Sequence, residues 1–396
     1  MDTLTYDRTA LNERAQWGAV VSLALCVAVL IASEFMPVSL LSPIAADLAI
    51  TAGQTGQAIS ISGIFAVITS LFVVDLTRLI DRKRVVLGFT LLLITSGLAV
   101  TFAPNYAFLM VGRSLLGVAI GGFWSMSTSI IMRLVPENDV PNGLAMLNAG
   151  NAVAATIAAP LGSFLGAYVG WRGAFFVVVP LGLLAFIWQW ISLPALPSRN
   201  RQRASALQLL GRKQVTLGMG AILFFFMGQF ALFTYLRPFL EGVTGLAVET
   251  LSLVLLAMGL AGVAGTWCIG QLLNGRSFSI LVGIPLIMAI VAVALVACGT
   301  KPIPVSMLLL AWGFFGTAAP VGWGTWLSRT LPEDAEGGGG LQVAVIQLAI
   351  TGGAALGGTL FDTVGWWAPL WLGAALLLAS SVVAIAAWRN AQGTSS

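Results

Sequence analysis

The chain is poor in charge. Only 9% of its 396 residues are Asp, Glu, Lys or Arg, against about 25% in an ordinary soluble domain. A soluble protein of this length needs far more charge to cover its surface, which excludes a cytosolic enzyme, a nucleic-acid binder and a disordered chain. Histidine is absent altogether, so proton chemistry falls mainly to Asp, Glu or Tyr. The lysines are Lys83, Lys213 and Lys301, and none follows a glycine. A G-x-x-x-x-G-K-[ST] phosphate loop is therefore missing, and with it ATP-driven transport by this chain. H-E-x-x-H and G-x-S-x-G are missing too, so no enzyme and no cofactor is expected. Cys26, Cys268 and Cys298 all lie in apolar runs, and neither a disulfide framework nor a zinc site is indicated. The first sixteen residues are of mixed charge, and the apolar run after Trp17 is too long for a cleavable signal. It reads as an uncleaved first span.

What the chain has instead is apolar residues, 58% of the total. They form long runs at about 17–40, 55–76, 85–103, 107–132, 142–168 and 173–192. Six more follow at about 214–237, 249–273, 279–299, 304–328, 341–361 and 366–388. Each is long enough for a membrane helix of about 20 residues. The fold class expected is an all-α membrane protein with twelve transmembrane helices in two six-helix halves. The halves are residues 1–192 and 214–396, joined by a basic linker, 193–213, that carries Ser198-Arg-Asn-Arg-Gln-Arg203. With the N-terminus inside, fifteen Lys and Arg fall in cytoplasmic segments and three outside, with Arg113 within a span. That bias puts both termini in the cytoplasm, in a bacterial inner membrane. The halves also repeat. Arg133-Leu-Val-Pro136 matches Arg329-Thr-Leu-Pro332, followed in each case by Glu (Glu137, Glu333). Gly143 matches Gly339, Gly162 matches Gly357, and Gly170-Trp171 matches Gly365-Trp366. Parallel repeats of this kind place a substrate site at the midplane between the halves.

Glu34 is the one acidic residue well within an apolar run, in Ile31-Ala-Ser-Glu34-Phe-Met-Pro37. Ionising a carboxylate at that depth is costly, so it can hold a proton near neutral pH, as a proton-coupled carrier requires. The alternative is a structural hydrogen bond. Arg113 is the one cation inside a span; it can ease proton release from a nearby carboxylate, or brace helices and snorkel. On a helix it shares a stripe with Gly117, Gly121, Trp124 and Thr128. Pro160, with Gly150, Gly162 and Gly166, makes the fifth helix bendable and closely packed. Scattered amides and aromatics suit a neutral, ring-bearing solute: Asn148 and Asn151 on one face, Gln229, Gln347 with Thr351, and Trp312, Phe315, Trp323 and Trp326 in a rough stripe. The same aromatics could equally fill the core or face lipid. Tyr235 stands three residues before Pro238, as Glu34 stands three before Pro37, which puts it at the equivalent height in the second half.

These residues resemble the major facilitator superfamily, in its drug/sugar efflux branch. Val74 to Leu87 fits the family's loop signature between helices 2 and 3, with Val74, Arg78 and Asp81 at positions usually Gly, Asp and Gly. Arg113-Ser-Leu-Leu-Gly117 looks like the helix-4 arginine motif. Gly150 through Ala159-Pro160-Leu-Gly162 looks like the helix-5 antiporter motif. The segments EFMPVSLLSP (34–43), GRSLLGVAIGGFWSMS (112–127), MRLVP (132–136), AAPLGSFLG (158–166), GQFALFTYLRP (228–238), PVGWGTW (320–326) and LQVAVIQLA (341–349) further resemble bacterial purine ribonucleoside efflux pumps. The resemblance implies a proton antiporter that exports purine ribonucleosides such as inosine and guanosine by alternating access, driven by the proton gradient. Sugar or drug efflux, and a non-transporting solute sensor, stand as alternatives. It implies Glu34 and Arg113 in proton coupling, and Arg82, Lys83, Pro160 and Gly162 in gating. Trp124, Asn148, Asn151, Gln229, Tyr235, Trp323 and Gln347 are the candidates for solute contact. Expected partners are the solute, protons and the bilayer, with no nucleic acid polymer, and the expected state is a monomer.

Overall fold

A computed structural model describes residues 15–77, 79–197, 206–331 and 335–393. Arg78 of the loop signature, Ser198–Arg203 of the basic linker and the Pro332-Glu333 pair of the repeat lie outside the described residues. Among those residues there is no strand. The first half contains α1 (Trp17–Leu48), α2 (Ala52–Leu76), α3 (Arg82–Thr101), α4 (Tyr106–Leu134), α5 (Val140–Phe176) and α6 (Val178–Ser192). A one-turn α7 (Ala206–Leu209) precedes α8 (Lys213–Phe233), α9 (Leu236–Gly242), α10 (Val248–Cys298), α11 (Pro302–Thr330), α12 (Ala335–Thr363) and α13 (Ala368–Gly393).

Eleven helical segments among the described residues are long and apolar enough to cross a membrane. One of them, Asn142–Ser192, has 51 residues; at 1.5 Å per residue it is about 76 Å long, more than twice a hydrocarbon core of about 30 Å. It is broken where the sequence turns at Gly170, whose φ of 73° and ψ of 165° leave the helical region. The matching glycine of the repeat, Gly365, has φ 130°. Both positions therefore use the left-handed side of backbone space that glycine enters without a Cβ clash. Helix α10 runs the other way: the sequence gives two apolar runs there, and the chain stays helical through both. No proline between 269 and 284 stops it, and Pro285 lies beyond. The run at 214–237 is in turn divided into α8 and α9. Pro238 has no N–H for the Thr234 carbonyl, so the helix gives way at Thr234 and Tyr235.

Two hydrophobic clusters hold the bundle. One is built from α1–α6, with Leu23, Leu30, Leu93, Leu116, Ile120 and Phe123 all essentially inaccessible. The other is built from α8–α13 around Phe225, Leu295, Trp312 and Leu377. Val38, Ile59 and Ala159 of α1, α2 and α5 belong to this second cluster, which marks where the halves meet. At one end the first half is braced by Arg172, which pairs with Asp47, donates to the Ala103 carbonyl at 2.8 Å and lies 4.2 Å over the Trp171 ring. We call this end, where α1 and α12 finish, distal, because the described termini lie at the other.

Small residues set the helix spacing. A Cβ on Gly117 would lie 2.9 Å from the Phe65 Cβ, and one on Gly121 would lie 2.8 Å from the Ala66 backbone, so the glycine stripe lets α2 press against α4. Gly121→Val is expected to lower stability by about 1–3 kcal/mol, the usual cost of forcing atoms into a packed contact. Gly88, with nothing within 4 Å of its would-be Cβ, is the control: Gly88→Ala should gain about 0.5–1 kcal/mol from helix propensity. Unfolding midpoints of the detergent-solubilised proteins measure both.

Candidate functional site

The site forms where α1 breaks its own hydrogen bonding. Pro37 lacks an N–H, so the carbonyl four residues earlier, at Ser33, has no helical donor. Arg113, fully buried in α4, supplies one: its NH1 donates to the Ser33 carbonyl at 2.7 Å. Its other nitrogens donate to the Glu34 carbonyl (3.3 Å), the Ala58 carbonyl (2.9 Å) and the Ser62 hydroxyl (3.2 Å). One guanidinium thus ties α4 to α1 and α2 in a fork that lysine cannot reproduce. Arg113 reaches Glu34 through its backbone and makes no ion pair with its carboxylate within 4 Å.

The Glu34 side chain points elsewhere. It is 3% exposed and accepts a 3.2 Å hydrogen bond from Nε2 of Gln347, in α12. A carboxylate of one half is thereby joined to an amide of the other at the depth of the bundle. The Gln347 Oε1 has no protein partner among the described residues. One turn on, Thr351 and Ser60 exchange hydroxyl–carbonyl contacts of 3.2 and 3.4 Å across the same seam. Phe35, next to Glu34, stacks on Phe230 at 5.7 Å and meets Phe233 edge-on at 6.3 Å. Tyr235 also reaches α12: its hydroxyl donates to the Ala354 carbonyl at 2.7 Å, and its ring stacks on Phe361 at 5.4 Å. The two positions related by the repeat therefore meet one helix two turns apart.

The other candidates are spread out. Gln229 in α8 is half-buried beside Gly316 of α11, and its Oε1 has no partner among the described residues. Trp124 packs against the first half's core. Trp312, Trp323 and Trp326 are buried in the second half's core, where Trp323 meets Trp326 edge-on at 5.8 Å, so the stripe read from the sequence faces that core. Asn148 is exposed and spends an amide N–H on the Leu144 carbonyl of its own helix at 2.9 Å, and Asn151 is half-buried one turn on. Arg82 binds Thr77 Oγ1 at 2.7 Å and approaches Met126 Sδ at 3.5 Å, joining α3 to the end of α2 and to α4. The Lys83 N–H is capped by Asp81 at 2.8 Å. Pro160 leaves the Thr156 carbonyl without its helical donor, and a Cβ on Gly259 of α10 would come 2.8 Å from that oxygen. Gly162 lies against Met36 and Ser39 of α1, with 3.3 Å from its would-be Cβ to Met36 Cγ. Arg237 and Asp362 carry no functional mark in the sequence. Each stands at a helix end, where charge is ordinary, and only the tertiary structure brings it against the opposite half.

Two groups of long apolar helices closed around a buried carboxylate are the frame of a multi-pass membrane carrier. Residues 23–349 match the Major Facilitator Superfamily, and the chain belongs to that family of transporters. It is 50% identical over 384 residues to a Pseudomonas aeruginosa protein named transcription regulatory protein OpdE, covering 96% of each chain. It is 44% identical over 374 residues to the purine ribonucleoside efflux pump NepI of Shigella dysenteriae, covering 94% of this chain and 95% of that one. The NepI pump of Escherichia coli K12 is 43% identical, with 94% of each chain covered. The crystal structure of a bacterial homolog to the human lysosomal transporter Spinster, inward-facing and unoccupied, shares the fold. Its TM-score is 0.71 at 15% identity, covering 94% of this chain and 95% of that one.

Proposed function

We propose that this transporter exports purine ribonucleosides from the bacterial cytoplasm in exchange for protons. The observation that carries the reading is the Glu34–Gln347 contact, which sets the one buried carboxylate among the described residues on the seam between the halves. A carboxylate there can accept from the solute when ionised, and cannot do so equally once protonated. Proton entry from outside then favours solute release, and proton loss inside restores the binding form. The orphan Oε1 atoms of Gln347 and Gln229 support a solute rich in N–H and O–H donors, which a nucleoside supplies and most hydrophobic drugs do not. The two NepI relatives carry this solute class in their names. Twelve crossings, with the 51-residue segment counted as two at Gly170, and both termini cytoplasmic agree with the fifteen-to-three distribution of basic residues. The distal end is then the periplasmic one, and the membrane the inner membrane.

Proteoliposomes with an imposed pH gradient and labelled inosine test this. Accumulation driven by the gradient and collapsed by a protonophore is the expected result. Inosine left at background, with arabinose or a lactose-type sugar accumulated, would move the solute class to sugars. The name of the Pseudomonas relative favours a second reading, a membrane protein that senses a solute and acts on gene expression. That reading requires binding without net movement of any of these solutes.

A further inference from the structure

Two charged side chains of the second half cross to the first at the distal end, and neither touches the Glu34 site. Asp362 lies at the end of α12. Its carboxylate accepts from the Thr51 hydroxyl at 2.5 Å and from the Gly53 N–H at 3.0 Å, both at the start of α2. That helix start already carries a reciprocal cap: the Thr51 N–H donates to Gln54 Oε1 at 2.9 Å, and the Gln54 N–H to Thr51 Oγ1 at 3.0 Å. Asp362 completes it from the opposite half, placing an anion at the positive end of the α2 dipole. The backbones are in close contact here. A Cβ on Gly53 would lie 2.6 Å from the Gly358 carbonyl, and one on Gly358 would lie 3.0 Å from the Gly53 Cα.

Arg237, in α9, is 5% exposed and held at Nε by Glu241 at 2.8 Å. Its NH1 donates to the Ser39 carbonyl of α1. Pro43, four residues on, has removed that carbonyl's helical donor. α1 thus has two proline-orphaned carbonyls, and an arginine serves each. Arg113 serves Ser33 from within the same half, so its bond survives any rigid movement of the halves. Arg237 serves Ser39 from the other half, so its bond does not.

We propose that Arg237 and Asp362 are positioning residues of the transport cycle. They hold the two halves shut at the distal end, and both must let go before the seam opens there. Opening leaves the Ser39 carbonyl without a donor and takes the anion from the α2 start, which weights the equilibrium toward the distally closed form. The proposal rests on alternating access of the two halves and not on the identity of the solute.

The test is the labelling rate of Ser60→Cys, a seam position, by a hydrophilic maleimide. It uses detergent-solubilised protein carrying Cys26→Ser, Cys268→Ser and Cys298→Ser. Ser22→Cys, buried within the first half, is the control. Arg237→Gln and Asp362→Asn are each expected to speed labelling at Ser60→Cys about tenfold, the scale of one lost charge-assisted hydrogen bond, and to leave Ser22→Cys unchanged. Arg237→Lys, which keeps the charge and N–H donors but not the guanidinium fork, should fall between. Equal acceleration at both cysteines means a loosened fold and overturns the proposal. A native rate at Ser60→Cys above the control, with no rise in the variants, overturns it while leaving alternating access standing. Equal rates at the two cysteines in every protein overturn both.

Discussion

Glu34→Gln is expected to bring pH-driven accumulation of inosine down to that of empty liposomes, while exchange of labelled for unlabelled inosine continues. The substitution is nearly isosteric. The new amide oxygen can still accept from Gln347 Nε2, so the seam contact and the turn before Pro37 are kept. What is lost is the ability to take and release a proton, together with the part of the solute affinity that the ionised carboxylate supplies, so exchange continues at a reduced rate. Coupled transport needs that step, whereas exchange needs only the return of a loaded carrier. If the variant still concentrates inosine, Glu34 is structural and the proton travels elsewhere. If it loses exchange as well, the carboxylate is required for solute binding itself.

Arg113→Met should produce the largest loss of stability. Four donor contacts disappear together, and the Ser33 carbonyl is left buried with no donor at all. An unsatisfied buried carbonyl costs about 1–3 kcal/mol, and the shortened side chain leaves a poorly filled space between α1, α2 and α4 in addition. The cause can be isolated, because Pro37 created the need. In the Arg113→Met background, Pro37→Ala supplies an N–H to Ser33 and should recover about 1 kcal/mol. In the native background the same change should recover nothing. A double-mutant cycle on unfolding midpoints measures the coupling. A coupling of zero would mean that Arg113 acts on α1 by charge or packing and not by closing the proline gap. Arg113→Lys should recover only part of that loss, since an ammonium keeps N–H donors but lacks the rigid fork that serves α1 and α2 together.

The expectations that held rest on composition and periodicity. Low charge and long apolar runs require a helical membrane protein, because only paired backbone survives in lipid. The break at Gly170-Trp171 was visible as a Gly-Trp pair repeated at Gly365-Trp366. The depth of Glu34 followed from counting residues into its run. Elements that depend on neighbours were harder to read. The division of the 214–237 run needed the knowledge that no donor replaces the one Pro238 lacks. The continuity of α10 needed the knowledge that nothing stops it. The tryptophan stripe had the right spacing for one face of a helix, but spacing carries no information about which neighbour that face meets.

By itself, then, the sequence determined the solvent this protein lives in, its class of secondary structure, its internal repeat and the one carboxylate placed where ionisation is expensive. Those properties are sums over single residues, or patterns along one helix, and need no partner. The tertiary structure decided which groups face one another: Glu34 with Gln347, Arg113 with the carbonyl that Pro37 orphans, Arg237 with the one that Pro43 orphans, and Asp362 with the start of α2. Each is a hydrogen bond between residues far apart in the chain, and such bonds depend on distance and direction to within a few tenths of an ångström. Helical periodicity sets which face a side chain lies on, and only the packing of whole helices sets what stands opposite it.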